Sequence, residues 1–291
     1  MIAIIYWALN SFSQEFGTHW ISHPMPNDSS EVLFCKVYTS TQRPQKAYLS
    51  FASSGVLKVF VNERNITKDI YFANQVSDII DIHTFDVTRF LRPDSNAIAV
   101  WFAPQNGAEA SKQLSLEYYG YNSQGDAFYH KADQEWKCQI LKGSFLKDNK
   151  EIFDARNYSY NWKAVEYDRE TWLAPWEILP DKNSLYSSSI SQFTKKHRSL
   201  YHIISPSNSY NDNEEAQYDF GREFLGTCRI TLRGTRKGEI INMNGLTYIC
   251  NGELDEQVFH HFTTHALRIV TIQGDDNFTP SQITHIEGLE Y

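Results

Sequence analysis

Period-two alternation of apolar and polar residues dominates this chain of 291 residues, and no long stretch carries the 3.6-residue period of an amphipathic helix. Ala47, Leu49 and Phe51 point one way while Lys46, Tyr48 and Ser50 point the other. Leu57, Val59 and Val61 alternate with Lys58 and Phe60, and Asn62-Glu63-Arg64-Asn65 supplies a turn. Successive side chains on a strand face opposite sides of a sheet, so this pattern predicts strands with one buried face. Ala97 to Phe102 is instead continuously apolar, which suits a strand covered on both faces. Leu114 and Leu116 alternate with Ser115 and Glu117, and Asn122-Ser123-Gln124-Gly125-Asp126 reads as a hairpin-like turn. Short strands at this spacing must bury their apolar faces sheet against sheet. The predicted fold class is therefore all-β, with jelly-roll-type β-sandwiches.

The length suits two domains better than one. From Asp181 to Glu215 the text turns to Ser, Asn and Lys, which marks a boundary region, although Leu200 to Ile204 can form a strand. The expected division is a first domain over residues 1–180 and a second, smaller sandwich over 181–291. Strands of the second are expected around Cys228 to Leu232, Ile240, Leu246 to Cys250, Leu267 to Ile272 and Ile283 to Leu289. The one clear helical turn is Asp86 to Leu91, with Asp86 as N-cap and Pro93 as its stop.

The net charge of −8 and the absence of a basic stripe argue against a nucleic-acid partner; Lys195-Lys196-His197-Arg198 is the longest basic run. Met1 to Leu9 is apolar but too short to span a bilayer. It reads as a strand or short helix, because the first Lys or Arg is Lys36 and an export signal carries a positive leader. A degenerate signal would place the chain in the periplasm or outside the cell; otherwise it is cytoplasmic. Cys35, Cys138, Cys228 and Cys250 lack zinc spacing, and free thiols are expected, with Cys35 buried beside Leu33 and Val37. A bridge between Cys228 and Cys250 is the alternative. The 7 Trp, 17 Tyr and 18 Phe suit strand cores, and exposed rings can stack on sugars.

Several blocks occur in the order found in the non-catalytic β-domains of bacterial α-L-rhamnosidases. They are Gly55 to Asn62, Asp86-Val87-Thr88, Asn96-Ala97, Asp133 to Lys137, Glu151-Ile152-Phe153-Asp154-Ala155-Arg156 and Tyr218-Asp219-Phe220-Gly221. The chain resembles the front half of that family over roughly residues 30–290. The resemblance implies a galactose-binding-like first sandwich and structural roles for Asp86, Asp154, Arg156, Asp219, Gly221 and Gly226. It departs from the family at Asn62-Glu63, where an Asn-Gly turn is usual, and at Phe102-Ala103-Pro104, where a tryptophan is usual. The family's catalytic acid and base lie in an α/α barrel that would begin about where this sequence reaches Tyr291.

No catalytic residue is assigned. Glu253 with Asp255 or Glu256, and Asp275 with Asp276, are paired carboxyls of the kind glycoside hydrolysis uses, but clustered acids are ordinary in surface turns. His260, His261 and His265 suit strand and turn rather than a metal site. Some members of the resembled family bind L-rhamnose with calcium, which would make calcium a cofactor and point to Asp94 and Asn96 as oxygen donors at one end of the sandwich. Trp172 and Trp176, around Pro175, are the other expected sugar-facing side chains, flanking a groove between the domains.

The expected function is a non-catalytic carbohydrate-binding accessory protein whose partner is a rhamnose-containing or other polysaccharide. A rhamnosidase-like glycoside hydrolase with an inter-domain site and an interaction module for a separate catalytic chain are the alternatives.

Overall fold

The computed structural model describes residues 19–25, 30–67, 70–72, 80–104, 112–178, 186–187, 197–212 and 215–291. The expectations for Met1 to Leu9, for Lys195 and Lys196, and for most of the polar stretch from Asp181 to Lys196 fall outside these residues. The described chain is all-β, and its helical elements are 3₁₀ turns of three or four residues.

The smaller sheet has six strands, in the order Trp176–Ile178, Trp20–Ser22, Gln113–Tyr121, Lys46–Ser53 and His83–Asp86, with Ala127–Lys131 beside Gln113–Tyr121. It packs on one half of a larger sheet whose strands there run Lys150–Asp154, Lys137–Lys147, Ser30–Thr39, Ser95–Pro104 and Gly55–Val61. The period-two pattern does the packing. Phe34, Val59, Ile98, Val100 and Phe102 from the larger sheet meet Leu49, Leu114 and Leu116 from the smaller one, all fully buried. The other face of Ser95–Pro104 carries Ala97, Ala99, Trp101 and Ala103 into a second core with Cys228, Ile230, Leu232 and Ile241. That double coverage explains the unbroken apolar run.

The larger sheet continues from Lys150–Asp154 through a parallel pairing with Leu246–Ile249, then Ile240–Met243, His265–Gly274, Glu215–Arg233, Ile283–Glu290 and His202–Ile204. Residues on both sides of position 180 thus share one hydrogen-bonded sheet. Glu215–Arg233 is its spine. Its second half pairs with Asp255–Phe259 and its first half with His265–Gly274, so residues 260–264 leave the ladder as a short excursion. Gly226 lies where a Cβ would stand 1.9 Å from the Leu289 carbonyl oxygen, so only glycine permits that strand approach.

The excursion is held by a buried carboxylate. Glu151, 1% exposed, accepts backbone N–H bonds from His261 at 2.7 Å, Phe262 at 2.8 Å and Thr263 at 2.5 Å, and the Thr263 hydroxyl at 2.7 Å. Nearby, Glu31 accepts from the Trp101 indole N–H at 2.7 Å. Burial, and then the neighbouring Glu151 carboxylate, raise the Glu31 carboxyl well above its usual range. Lys58 sits 5.5 Å from the Trp101 ring centre and 5.6 Å from those of Phe259 and Phe262, and burial pushes its amine down to about 8.

The irregular segment Asp154–Leu173 is organised by Arg169. Its guanidinium donates to the carbonyls of Trp162 at 2.7 Å, Ala164 at 2.6 Å and Tyr167 at 2.9 Å, satisfying backbone that no strand pairs. It also lies over the Trp172 ring at 5.9 Å.

Candidate functional site

At one end of the first sandwich the inward stripe of the larger sheet ends in Tyr38 and that of the smaller sheet in Tyr118. His130 stands opposite Tyr118 and Phe128 opposite Gly120, so the hairpin after the Asn122 turn folds two more rings against the pair. Ring centres are 5.1 Å apart for Tyr38 and Tyr118, 5.0 Å for Tyr38 and His130, and 5.1 Å for Tyr118 and Phe128. These rings line a cleft of about 270 Å³ whose rim is Ser40, Thr41, Gln42, Asn122 and Gln124.

Local hydrogen bonds fix that rim. The Asn122 side-chain Oδ1 accepts from the backbone N–H groups of Gln124 and Asp126, each at 2.9 Å, which closes the turn. The Ser123 hydroxyl donates to the Gln42 side chain at 2.5 Å and joins the two loops. Ser40 donates its N–H to the Asp94 carbonyl at 2.8 Å, which seats the loop on the Arg92–Asn96 turn. Burial raises the Tyr38 and Tyr118 hydroxyls above the ordinary phenol range, so both stay protonated. Burial, then Lys36, lowers His130, against Asp133 and Glu135. At neutral pH the cleft presents hydroxyls, amides, a neutral imidazole and ring faces.

Asn96 lines this cleft and Asp94 lies two residues before it on the same turn, but the two side chains differ. Asp94 is exposed, whereas Asn96 is 2% exposed and its carbonyl oxygen already accepts from Arg92 N–H at 2.7 Å and the Asn62 amide at 2.8 Å. A calcium ion takes six to eight oxygens. With Asn96 committed to the turn, the pair does not fit calcium. Among the described residues no group of three His, Cys, Asp or Glu could hold a metal.

Trp172 and Trp176 are not brought together. Trp172 is 5% exposed, 6.1 Å from Trp162 between ring centres, and lines a separate cleft of about 220 Å³ with Gln139, Lys142 and Asn157. Trp176 is 61% exposed on the edge strand of the smaller sheet, opposite Ser22. The remaining motif residues hold backbone. Asp154 accepts from Arg156 Nε and Nη2, both at 2.8 Å, and from its backbone N–H at 3.1 Å. Asp219 accepts from Gly221 N–H at 2.7 Å, with Gly221 at φ 76°, and from Arg268 Nε at 3.2 Å. Asp86 accepts from Thr88 N–H at 3.1 Å and its hydroxyl at 2.6 Å, but the turn is the shorter Thr88–Phe90 with Val87 as N-cap. The helical turn expected over Asp86 to Leu91 is thus shorter, and the Asp86 carboxylate acts one residue ahead of its cap.

The carboxyls weighed for hydrolysis are tied to structure. Glu256 is 1% exposed and accepts from Thr235, from Tyr248 at 3.2 Å and from the N–H groups of Asn251 at 2.7 Å and Gly252 at 3.1 Å. Asp255 pairs with Arg233 at 2.7 Å, and Asp275 accepts from Ile240 and Asn277 N–H, each at 2.9 Å. Glu31 and Glu151 form the one described pair with an acid raised beside another carboxylate, as hydrolytic sites require. Both are 1% exposed, and four donors occupy Glu151, so no glycosidic bond can reach them. The histidines also serve structure: His260 Nε2 meets the Asn244 carbonyl at 3.2 Å and His265 Nε2 the Thr263 hydroxyl at 3.2 Å. All four cysteines are buried free thiols.

Sequence reasoning missed the four rings and Gln42. Tyr38 and Tyr118 read as ordinary strand aromatics, and only the fold shows that their stripes end together. The polar run Thr39-Ser40-Thr41-Gln42 before Pro44 was the available signal.

The α-L-rhamnosidase N-terminal domain family matches residues 42–196 of the chain. An α-L-rhamnosidase of Streptomyces avermitilis is 22% identical over 276 residues, an alignment covering 80% of this chain and 26% of that protein. The α-L-rhamnosidase of Dictyoglumus thermophilum superposes with a TM-score of 0.79 at 18% identity, over 96% of this chain and 36% of that one. That of Aspergillus terreus gives 0.76 at 18% identity, over 95% and 36%. The chain therefore spans about a quarter to a third of the length of these relatives. The two superpositions show a shared fold, and with the family match covering more than half of its residues the chain belongs to the α-L-rhamnosidase N-terminal domain family.

Proposed function

We propose that this chain is a non-catalytic carbohydrate-binding accessory region, and that the sandwich-end cleft is where sugar contacts it. The observation that carries this reading is the pairing of a ring cluster, Tyr38, Tyr118, Phe128 and His130, with a rim of amides and hydroxyls. Ligand sites combine an apolar wall with a few placed polar groups that fix orientation. A pyranose has the matching chemistry: C–H faces for rings, and hydroxyls for Thr41, Gln42 and Gln124. A glycan array with calcium and with chelator tests the reading. Retention of a glycan without release of sugar is expected, unchanged by chelator, and weakened roughly tenfold by Gln42→Ala with Phe128→Ala. Silence in both conditions would remove the proposal.

A second reading, an interaction module for a separate catalytic chain, rests on Tyr201 at 73% and Ile203 at 61% exposure, on or beside the outermost strand of the larger sheet. An unpaired edge with large apolar side chains is a surface that partners use. Co-sedimentation with a rhamnosidase catalytic barrel, lost in Ile203→Asp, would support it, and independent sedimentation would exclude it.

A further inference from the structure

We infer that the sandwich-end cleft selects uncharged sugar residues and rejects anionic ones such as uronates; this rests on the carbohydrate-binding reading above. Among the described residues, the side chains lining the cleft include no Lys, Arg, Asp or Glu. A carboxylated sugar entering it would lose water without meeting a compensating cation, and burying an unpaired carboxylate is costly. The surroundings sharpen the effect. The Asp94 backbone carbonyl seats Ser40 at 2.8 Å, and Asp126 accepts from the Asn122 amide at 3.1 Å, so two of the segments that hold the rim each carry an exposed carboxylate.

Three flanking cations are engaged elsewhere. Arg43, between Gln42 and Pro44, donates to the Thr88 carbonyl at 3.1 Å. Lys46 is paired with Asp86 at 2.5 Å, and Lys36 with Asp133 at 2.8 Å and Glu135 at 2.8 Å. The net charge of −8 adds a long-range term of the same sign. Size adds a second limit. At about 270 Å³ the cleft falls just below the usual span of ligand sites, roughly 300–1,000 Å³, so it takes a terminal residue or a disaccharide unit rather than a long chain.

The test uses the full chain and matched pairs of sugars that differ only at C6: galactose-ended and galacturonate-ended disaccharides, and glucose-ended and glucuronate-ended ones. Binding is followed by the His130 ring resonances at low and high salt. The neutral member of at least one pair is expected to shift them, with its acid counterpart binding about tenfold more weakly at low salt and the gap narrowing as salt rises. Asp94→Asn with Asp126→Asn is expected to bring the acid to within about threefold of the neutral sugar. Both sites are exposed, and a neutral-sugar affinity equal to that of the unsubstituted chain verifies that the variant is folded. Equal or tighter binding of the acid by the unsubstituted chain would overturn the inference while leaving carbohydrate binding intact. Binding of neither member would overturn the carbohydrate reading, and the inference with it.

Discussion

His260 shows how one buried side chain can couple this fold to pH. It is 4% exposed, its Nε2–H donates to the Asn244 carbonyl at 3.2 Å, and burial pushes its imidazole down to about 4. An unfolded histidine takes up a proton near pH 6.5. Between about 6.5 and about 4 the unfolded chain therefore binds a proton that the folded chain refuses, and stability falls as pH falls through that window. The cost at its lower edge is about 3 kcal/mol. His261, lowered by burial and then Lys58, acts in the same direction, while Glu31, raised by burial, acts in the opposite one. Urea midpoints at pH 7.5, 5.5 and 4 for the unsubstituted chain and for His260→Phe isolate the histidine by difference. A shallower acid slope in the variant is expected; parallel slopes would show that His260 titrates normally in the fold.

At the scale of elements, the excursion over residues 260–264 depends on a single distant carboxylate. Four donors converge on Glu151 from a segment about 110 positions away in sequence. Breaking a buried hydrogen-bond network by removing one partner is one of the few single substitutions that costs about 4 kcal/mol, because the donors left behind stay buried and unmatched. Glu151→Ala is expected to destabilise the chain by about 4 kcal/mol and to raise amide exchange at His261, Phe262 and Thr263 first. Glu151→Gln keeps one acceptor oxygen and should cost about half as much. Uniform exchange across the second core instead would mean that the excursion is held by its rings. This contact also shows what could be read in advance. Alternation identified the strands Lys46–Ser53, Gly55–Val61 and Gln113–Tyr121, and the doubly apolar run located Ser95–Pro104 between two cores. Glu151 stood in a motif valued for Asp154 and Arg156, because nothing local reveals a partner so far along the chain. The cleft was equally hidden: Asp94 and Asn96 marked its border, while its rings come from strands whose spatial meeting has no sequence period.

At the scale of the molecule, the larger sheet decides how the chain unfolds. Two sandwiches joined by a loose linker would melt separately, because domain contacts within a chain are commonly modest and polar. Here Lys150–Asp154 pairs residue for residue with Leu246–Ile249. His197–Ser199 also returns to pair with Ile70–Phe72. Trp101 in turn carries the first half into the core that holds Phe262 and Ile230. Opening one half would strip hydrogen bonds and apolar cover from the other, which is the condition for a cooperative transition. The buried thiols provide internal reporters: Cys138 lies in the core between the two sheets, and Cys228 lies in the second core, on the spine strand. Labelling both in increasing urea, with mass spectrometry to separate the sites, should give one midpoint for the two cysteines, coincident with the loss of far-ultraviolet dichroism. Two midpoints separated by more than about half the transition width would show that the continuous sheet joins the halves without making them one folding unit. If the midpoints coincide, Glu151→Ala should lower both together, because the carboxylate it removes sits at the seam that both halves share.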